Sequence, residues 1–122
     1  MREIKFRAWN SIDKKMVGWC SLKHSFDAFI KSKHYELMQF TGLTDKNGAD
    51  IYEGDIVQSH FYDADEWKDI AGITYCDHRA KFVFNDGNGE QDAFIDGINT
   101  GTLEVIGNIH QNPELLENKS EN

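Results

Sequence analysis

The sequence predicts a mainly β fold, a strongly bent antiparallel sheet or small barrel-like core, with one or two short helices. Three observations carry this. Runs of β-forming residues recur along the chain, densest at Tyr35 to Thr41. Turn chemistry separates them at Asp45-Lys46-Asn47-Gly48, Glu53-Gly54-Asp55 and Asp86-Gly87-Asn88-Gly89. Apolar residues at helical spacing occur only at Ser21 to Ser32 and after Asn112. At 122 residues the chain reads as one domain, large enough for a single core, with 117–122 as a polar, frayed tail.

The opening residues Ile4, Phe6 and Ala8 alternate with Lys5, Arg7 and Trp9, a strand with its basic residues on one face. Asn10 to Lys14 reads as a hairpin loop and Lys15 to Trp19 as the return strand. Arg7 and Trp9 share a face, which suits a cation–π pair or a base-stacking platform; plain packing of Trp9 and Trp19 in the hairpin explains the same residues. Ser21 is a candidate cap for a helix carrying Leu22, Phe26, Phe29 and Ile30 on one side.

The central strand has apolar groups on both faces, so both are expected to be covered. Asp45 can accept backbone amides, and Asn47-Gly48 tolerates φ > 0, a strong hairpin signal. Ile51-Tyr52 is then a short returning strand, Glu53-Gly54-Asp55 a second reversal, and Ile56-Val57 onward to Tyr62 the next strand. Ile70 to Tyr75 and Lys81 to Phe84 are expected strands joined by a turn at Cys76 to Arg79, followed by a short strand at Ala93 to Ile95. Thr102 to His110 closes the β part, where Gly107 signals a bulge or a close backbone approach. Asn112-Pro113 suits a helix start, with Asn112 as cap and Leu115 and Leu116 docking the helix.

Several of these blocks occur together: Lys5-Phe6-Arg7-Ala8-Trp9, Gln39-Phe40-Thr41-Gly42-Leu43, Asp45-Lys46-Asn47-Gly48, Ile51-Tyr52-Glu53-Gly54-Asp55-Ile56-Val57 and Leu103-Glu104-Val105-Ile106-Gly107-Asn108-Ile109, with Asn112-Pro113-Glu114-Leu115-Leu116 after them. In this order they resemble the YopX family, small proteins encoded mainly by bacteriophages and prophages. The resemblance spans almost the whole chain except His60 to Glu90. It implies a mostly β fold and an accessory phage or prophage role, and it carries over no catalytic or metal residues.

Charge is unevenly spread. Residues 1–33 hold eight Lys or Arg against three acids, a balance of +5, and residues 34–122 hold five against eighteen, −13. The overall −8 argues against a general nucleic-acid binder, whose affinity comes from neutralising phosphates. Either the two parts offset each other within one fold, or they serve self-association or a charged protein partner. No apolar run is long enough to span a bilayer, the first residues lead straight into a strand pattern, and Cys20 and Cys76 read as reduced, buried thiols. From these observations a cytoplasmic location without membrane contact is expected; that the cell is a bacterial host is what the resemblance implies.

The chemistry-bearing residues make no catalytic pattern. The five histidines and two cysteines show no metal-ligand spacing, and no serine sits in a nucleophile elbow. Cys76 and His78 lie two apart on a turn, a poor geometry for a nucleophile and its base. The acids Asp63, Asp65, Glu66 and Asp69 lack the Gly and Glu of a calcium loop and read as a solvated loop. No cofactor, metal or catalytic residue is assigned. The chain is expected to act by binding a protein or a second copy of itself. A nucleic-acid module using Lys5, Arg7 and Trp9 is the first alternative and a small enzyme the second. The expected binding residues are Arg7, Trp9, Tyr52, Glu53 and Asp55, although turn formation also explains Gly54 and Asp55.

Overall fold

A computed structural model describes residues 3–59, 70–78, 80–85, 90–94 and 102–117. The fold is mainly β: two antiparallel sheets, one of them strongly curled into a half-barrel, and a helical segment of 13 residues. In the first sheet the order is β2 (Lys15–Val17), β1 (Phe6–Asn10), β3 (Tyr35–Thr44), β4 (Asp50–Tyr52). In the second it is β8 (Glu90–Phe94), β7 (Lys81–Asn85), β6 (Ile70–Cys76), β5 (Asp55–Ser59), β9 (Leu103–Asn108).

The first hairpin forms because Asn10 Oδ1 accepts the amides of Ile12 and Asp13 at 3.0 and 3.1 Å, which turns the chain locally. The return strand is shorter than the sequence suggests. Trp19 leaves it to start α1 (Trp19–Leu22), and the cap position is Gly18, not Ser21. A 3-10 turn over Lys23–Ser25 follows, and α2 (Phe26–Lys31) resumes after Ser25 leaves helical geometry at φ −138°. The expected single helix is therefore two short ones. Their fixed point is Leu22, which is fully buried, while Trp19 and Phe26 pack on Phe6.

The β3–β4 hairpin turns at Asp45 to Gly48 as its sequence requires, with Gly48 N donating to Asp45 O and Gly48 at φ +82°. Within β3, Gly42 at φ +91° accompanies an irregular register in which Phe40 pairs with Tyr52 and Thr44 with Asp50. The buried Thr41 hydroxyl donates to Ile51 O at 2.7 Å in the disturbed stretch. Both faces of β3 are covered, but unequally. Met38 and Phe40 are buried toward the second sheet; Tyr35, Leu37 and Gln39 are half-buried on the other side.

Glu53-Gly54-Asp55 does more than reverse the chain: it carries it from one sheet into the other. Gly54, at φ +90°, already belongs to the second ladder, donating to Ile73 O at 2.7 Å and accepting from Ile109 N at 2.9 Å. The core lies where the β4 hairpin meets the second sheet: Ile51, Val57, Ile73, Phe82 and Leu103 form it, with Leu43, Phe84 and Val105 packed against it.

Gly107 marks the expected bulge, while the close approach there is by a side chain and not by backbone. Ile56 pairs with Gly107 and Val57 with Val105, so Ile106 is the extra residue of a bulge. A Cβ on Gly107 would stand 2.9 Å from that of Asn112. The Asn112 side chain uses this space to accept Asn108 N at 3.2 Å; it looks back to β9 instead of capping α3 (Glu114–Glu117). Leu116 does dock, near Gly72 of β6. The extension of β5 to Phe61 and Tyr62, the acidic stretch 63–69, the turn at 86–89 and the loop at 96–101 lie outside the described residues.

Candidate functional site

The site grows from Asp55, which β5 places at the seam of the two sheets with only 2% exposure. Its Oδ2 accepts Tyr52 N at 2.7 Å, which closes the Glu-Gly-Asp turn. Its Oδ1 accepts Arg7 Nη2, also at 2.7 Å. Arg7 arrives from β1 and lies over the Tyr52 ring, 4.7 Å from its centroid, with Met38 Sδ at 3.8 Å from Nη2. One carboxylate therefore ties β1 of the first sheet to the start of β5 in the second.

Flanking contacts extend the seam. Lys5 Nζ pairs with Asp50 at 2.7 Å and lies over the Phe40 ring at 4.7 Å. Trp9, 7% exposed, stacks on His110 at 5.2 Å between ring centroids, with 10° between the planes. An Asx turn at the end of β9 sets that histidine: Asn108 Oδ1 accepts the amides of His110 and Gln111 at 3.0 and 2.9 Å. His110 Nε2 also meets the Glu36 carboxylate.

A second carboxylate works the same way at the far end of the hairpin. Asp45 Oδ1 accepts Asn47 N at 2.8 Å and Ala49 N at 2.9 Å, and Oδ2 accepts Val105 N of β9 at 2.9 Å. Lys46 N adds a bond to Leu103 O at 2.9 Å. Periodicity cannot show this bond to β9, because sixty residues separate Asp45 from Val105. The turn motif signals only its local half.

Electrostatics follow from burial. Desolvation pushes the Asp55 carboxyl above its ordinary value, against the pull of Arg7 and the Tyr52 amide. The Glu53 carboxyl is also raised, first by burial and then by Glu36 and Asp77, while the Gln39 amide opposes. Burial likewise raises the Tyr52 phenol. The bond to Asp50 raises Lys5. The bound charges leave little chemistry free: both Asp55 oxygens are occupied, and Arg7 is neutralised, with a side-chain exposure of 14%.

Of the five expected binding residues, the structure joins Arg7, Tyr52 and Asp55 in one cluster and places Glu53 in the same turn. Trp9 sits on the same face of β1 but stacks on His110, so the ring under Arg7 is Tyr52 and not Trp9. Met38 and His110 complete the seam without having been singled out, and Asp45, expected only as a turn residue, joins it through Val105. Elsewhere, Cys76 is buried as expected but Cys20 is exposed, and both are free thiols. Cys76 ends β6 facing inward while His78 is exposed. Among the described residues, no cluster of His, Cys, Asp or Glu is suited to hold a metal ion.

Fold and seam together define a class: a small two-sheet β protein whose sheets are clasped by buried carboxylates. A model of the family described as YopX protein matches residues 20–117, and the chain belongs to that family. It is similar in structure to protein EF1440 from Enterococcus faecalis, at 25% identity and a TM-score of 0.65 over 95% of this chain and 99% of that one. It is also similar to protein yopX from Bacillus subtilis, at 20% identity and a TM-score of 0.61 over 94% of this chain and 98% of the other. No curated protein matches the chain in sequence.

Proposed function

We propose that the protein is a phage or prophage accessory protein that acts by binding another protein or a second copy of itself, in the cytoplasm of a bacterial cell. The observation that carries this reading is how the charged residues are used. The inward charges Lys5, Arg7, Asp45 and Asp55 are paired or hydrogen-bonded within the fold. The lysines at 14, 15, 23 and 33 are exposed, and among the described residues they make no ion pair. A fold that ties its inward charges down at its own seam and leaves lysines on its surface suits recognition better than catalysis. Lys5, Arg7 and Trp9, the residues a nucleic-acid module would use, face the second sheet. The similar bacterial proteins are consistent with a bacterial host, and among the described residues no helix is long and apolar enough to cross a membrane.

Affinity capture from host-cell lysate, with and without nuclease, tests the reading. A host protein retained in both lanes is the expected result. Retention that disappears with nuclease would overturn it.

A further inference from the structure

The tip of the β3–β4 hairpin carries a reactive pair. The chain has two Asn-Gly steps, Asn47-Gly48 and Asn88-Gly89, and the second lies outside the described residues. At the first, Lys46, Asn47, Gly48 and Ala49 are all exposed, above a buried Asp45. Asparagine is among the thermolabile residues. When glycine follows it, no side chain shields the next backbone nitrogen from the asparagine amide carbon. Gly48 meets this condition in space as well: a Cβ built on it would have nothing within 4 Å.

The reaction balances without an oxidant, a reductant or an enzyme. Gly48 N attacks Asn47 Cγ and forms a five-membered imide. The Cγ–Nδ2 bond breaks, and Nδ2 leaves as ammonia with the proton that Gly48 N gives up. Water then opens the imide. Addition at Cγ leaves aspartate, and addition at the backbone carbonyl carbon of residue 47 leaves isoaspartate, with one extra methylene in the main chain.

The fold restrains this step through Asp45. Gly48 N is not a free nucleophile, because it donates to Asp45 O at 3.0 Å. Asp45 Oδ1 holds the amides on either side, Asn47 N at 2.8 Å and Ala49 N at 2.9 Å, and Asp45 N donates to Ala49 O at 2.8 Å. Attack therefore needs the turn to open. An exposed turn opens locally, without unfolding the core.

The same aspartate passes the consequence inward. Asp45 Oδ2 accepts Val105 N of β9 at 2.9 Å, and Lys46 N donates to Leu103 O at 2.9 Å. The imide has no proton on Gly48 N, so it cannot restore the bond to Asp45 O. Isoaspartate then lengthens the main chain inside the turn and adds a carboxylate two residues from that of Asp45. We propose that Asn47 is a site of spontaneous deamidation held back by Asp45, and that its isoaspartate product loosens the hairpin from β9.

Timed peptide mapping tests this. Purified wild type is held at mildly alkaline pH in buffer and, separately, in urea, beside Asp45→Ala in buffer. Trypsin cleavage after Lys46 and Lys68 yields residues 47–68, in which Asn47 is the only asparagine, and leaves Asn88 in another peptide. The mass change from amide to acid reads conversion, and fragmentation separates aspartate from isoaspartate. Folded wild type is expected to convert at Asn47, more slowly than in urea, and Asp45→Ala to convert about tenfold faster than wild type. The urea arm keeps the restraint testable if Asp45→Ala fails to fold. Asn47 that stays intact in the folded protein while the urea sample converts overturns the site, and equal rates in all three samples overturn the restraint. The isoaspartate form, separated by anion exchange through its added charge, is expected to exchange the Val105 amide faster than the intact protein. Unchanged exchange overturns the link to β9.

Discussion

At Gly54 the backbone has no room for another residue. Its φ of +90° is costly for any side chain, and an added Cβ would stand 2.8 Å from Met38 Sδ. The Met38 side chain can give way, but the backbone strain remains. Gly54→Ala is expected to cost about 1–3 kcal/mol, read as a lower urea midpoint with an unchanged m-value. Asp55 beside it is legible in the sequence as a turn former and less legible as a clasp. A Gly-Asp step says that an amide will be satisfied locally, and Tyr52 N fulfils that. The second oxygen belongs to Arg7, 48 residues away, and no local pattern encodes such a partner.

Elements differ in how much of themselves they declare. The β3–β4 hairpin declares its turn fully, since Asp45 and Gly48 do what their chemistry demands. The helical segment declares its existence but not its break, because Leu22, Phe26, Phe29 and Ile30 fit one continuous helix as well as two short ones. Its anchor is Leu22; Ile30 points outward. Leu22→Ala is expected to cost about 2–5 kcal/mol in urea denaturation, and Ile30→Ala less than about 0.5 kcal/mol. The hairpin supplies a pH test. Burial raises the Asp45 carboxyl, yet the amides of Val105, Ala49 and Asn47 outweigh it and hold the group below its ordinary value. A carboxyl lowered on folding stabilises the fold above its unfolded value, and that contribution is lost as pH falls through the folded value. Asp55 and Glu53 act oppositely: burial raises both, so the folded state takes up their protons more readily and their ionisation costs stability as pH rises. Asp45→Asn should therefore be less stable than wild type by about 1–3 kcal/mol at neutral pH and converge with it in acid, as urea melts across pH would show.

Over the whole molecule, the division of charge along the sequence becomes partly a division between inside and outside. Lys5 and Arg7 read as a basic face of an N-terminal hairpin, but strand alternation cannot say which face of a sheet meets another sheet. The second sheet covers that face, and the acids Asp50 and Asp55 neutralise it. The other lysines of the N-terminal third stay exposed. The β class, the turns at Asp45 to Gly48 and Glu53 to Asp55, the bulge at Gly107 and the family are thus readable from sequence. The seam is not, because its residues come from β1, β3, β4, β5 and β9 and lie far apart along the chain. Arg7 and Asp55 form a buried structural clasp between the sheets. A double-mutant cycle in urea, with Arg7→Met, Asp55→Asn and the pair, tests it most directly. Each single change is expected to cost about 3 kcal/mol, since it strands a buried partner, and the double variant should fall short of the sum by about 1–3 kcal/mol. Single changes that cost almost nothing and add without coupling would contradict the clasp and return both side chains to the surface.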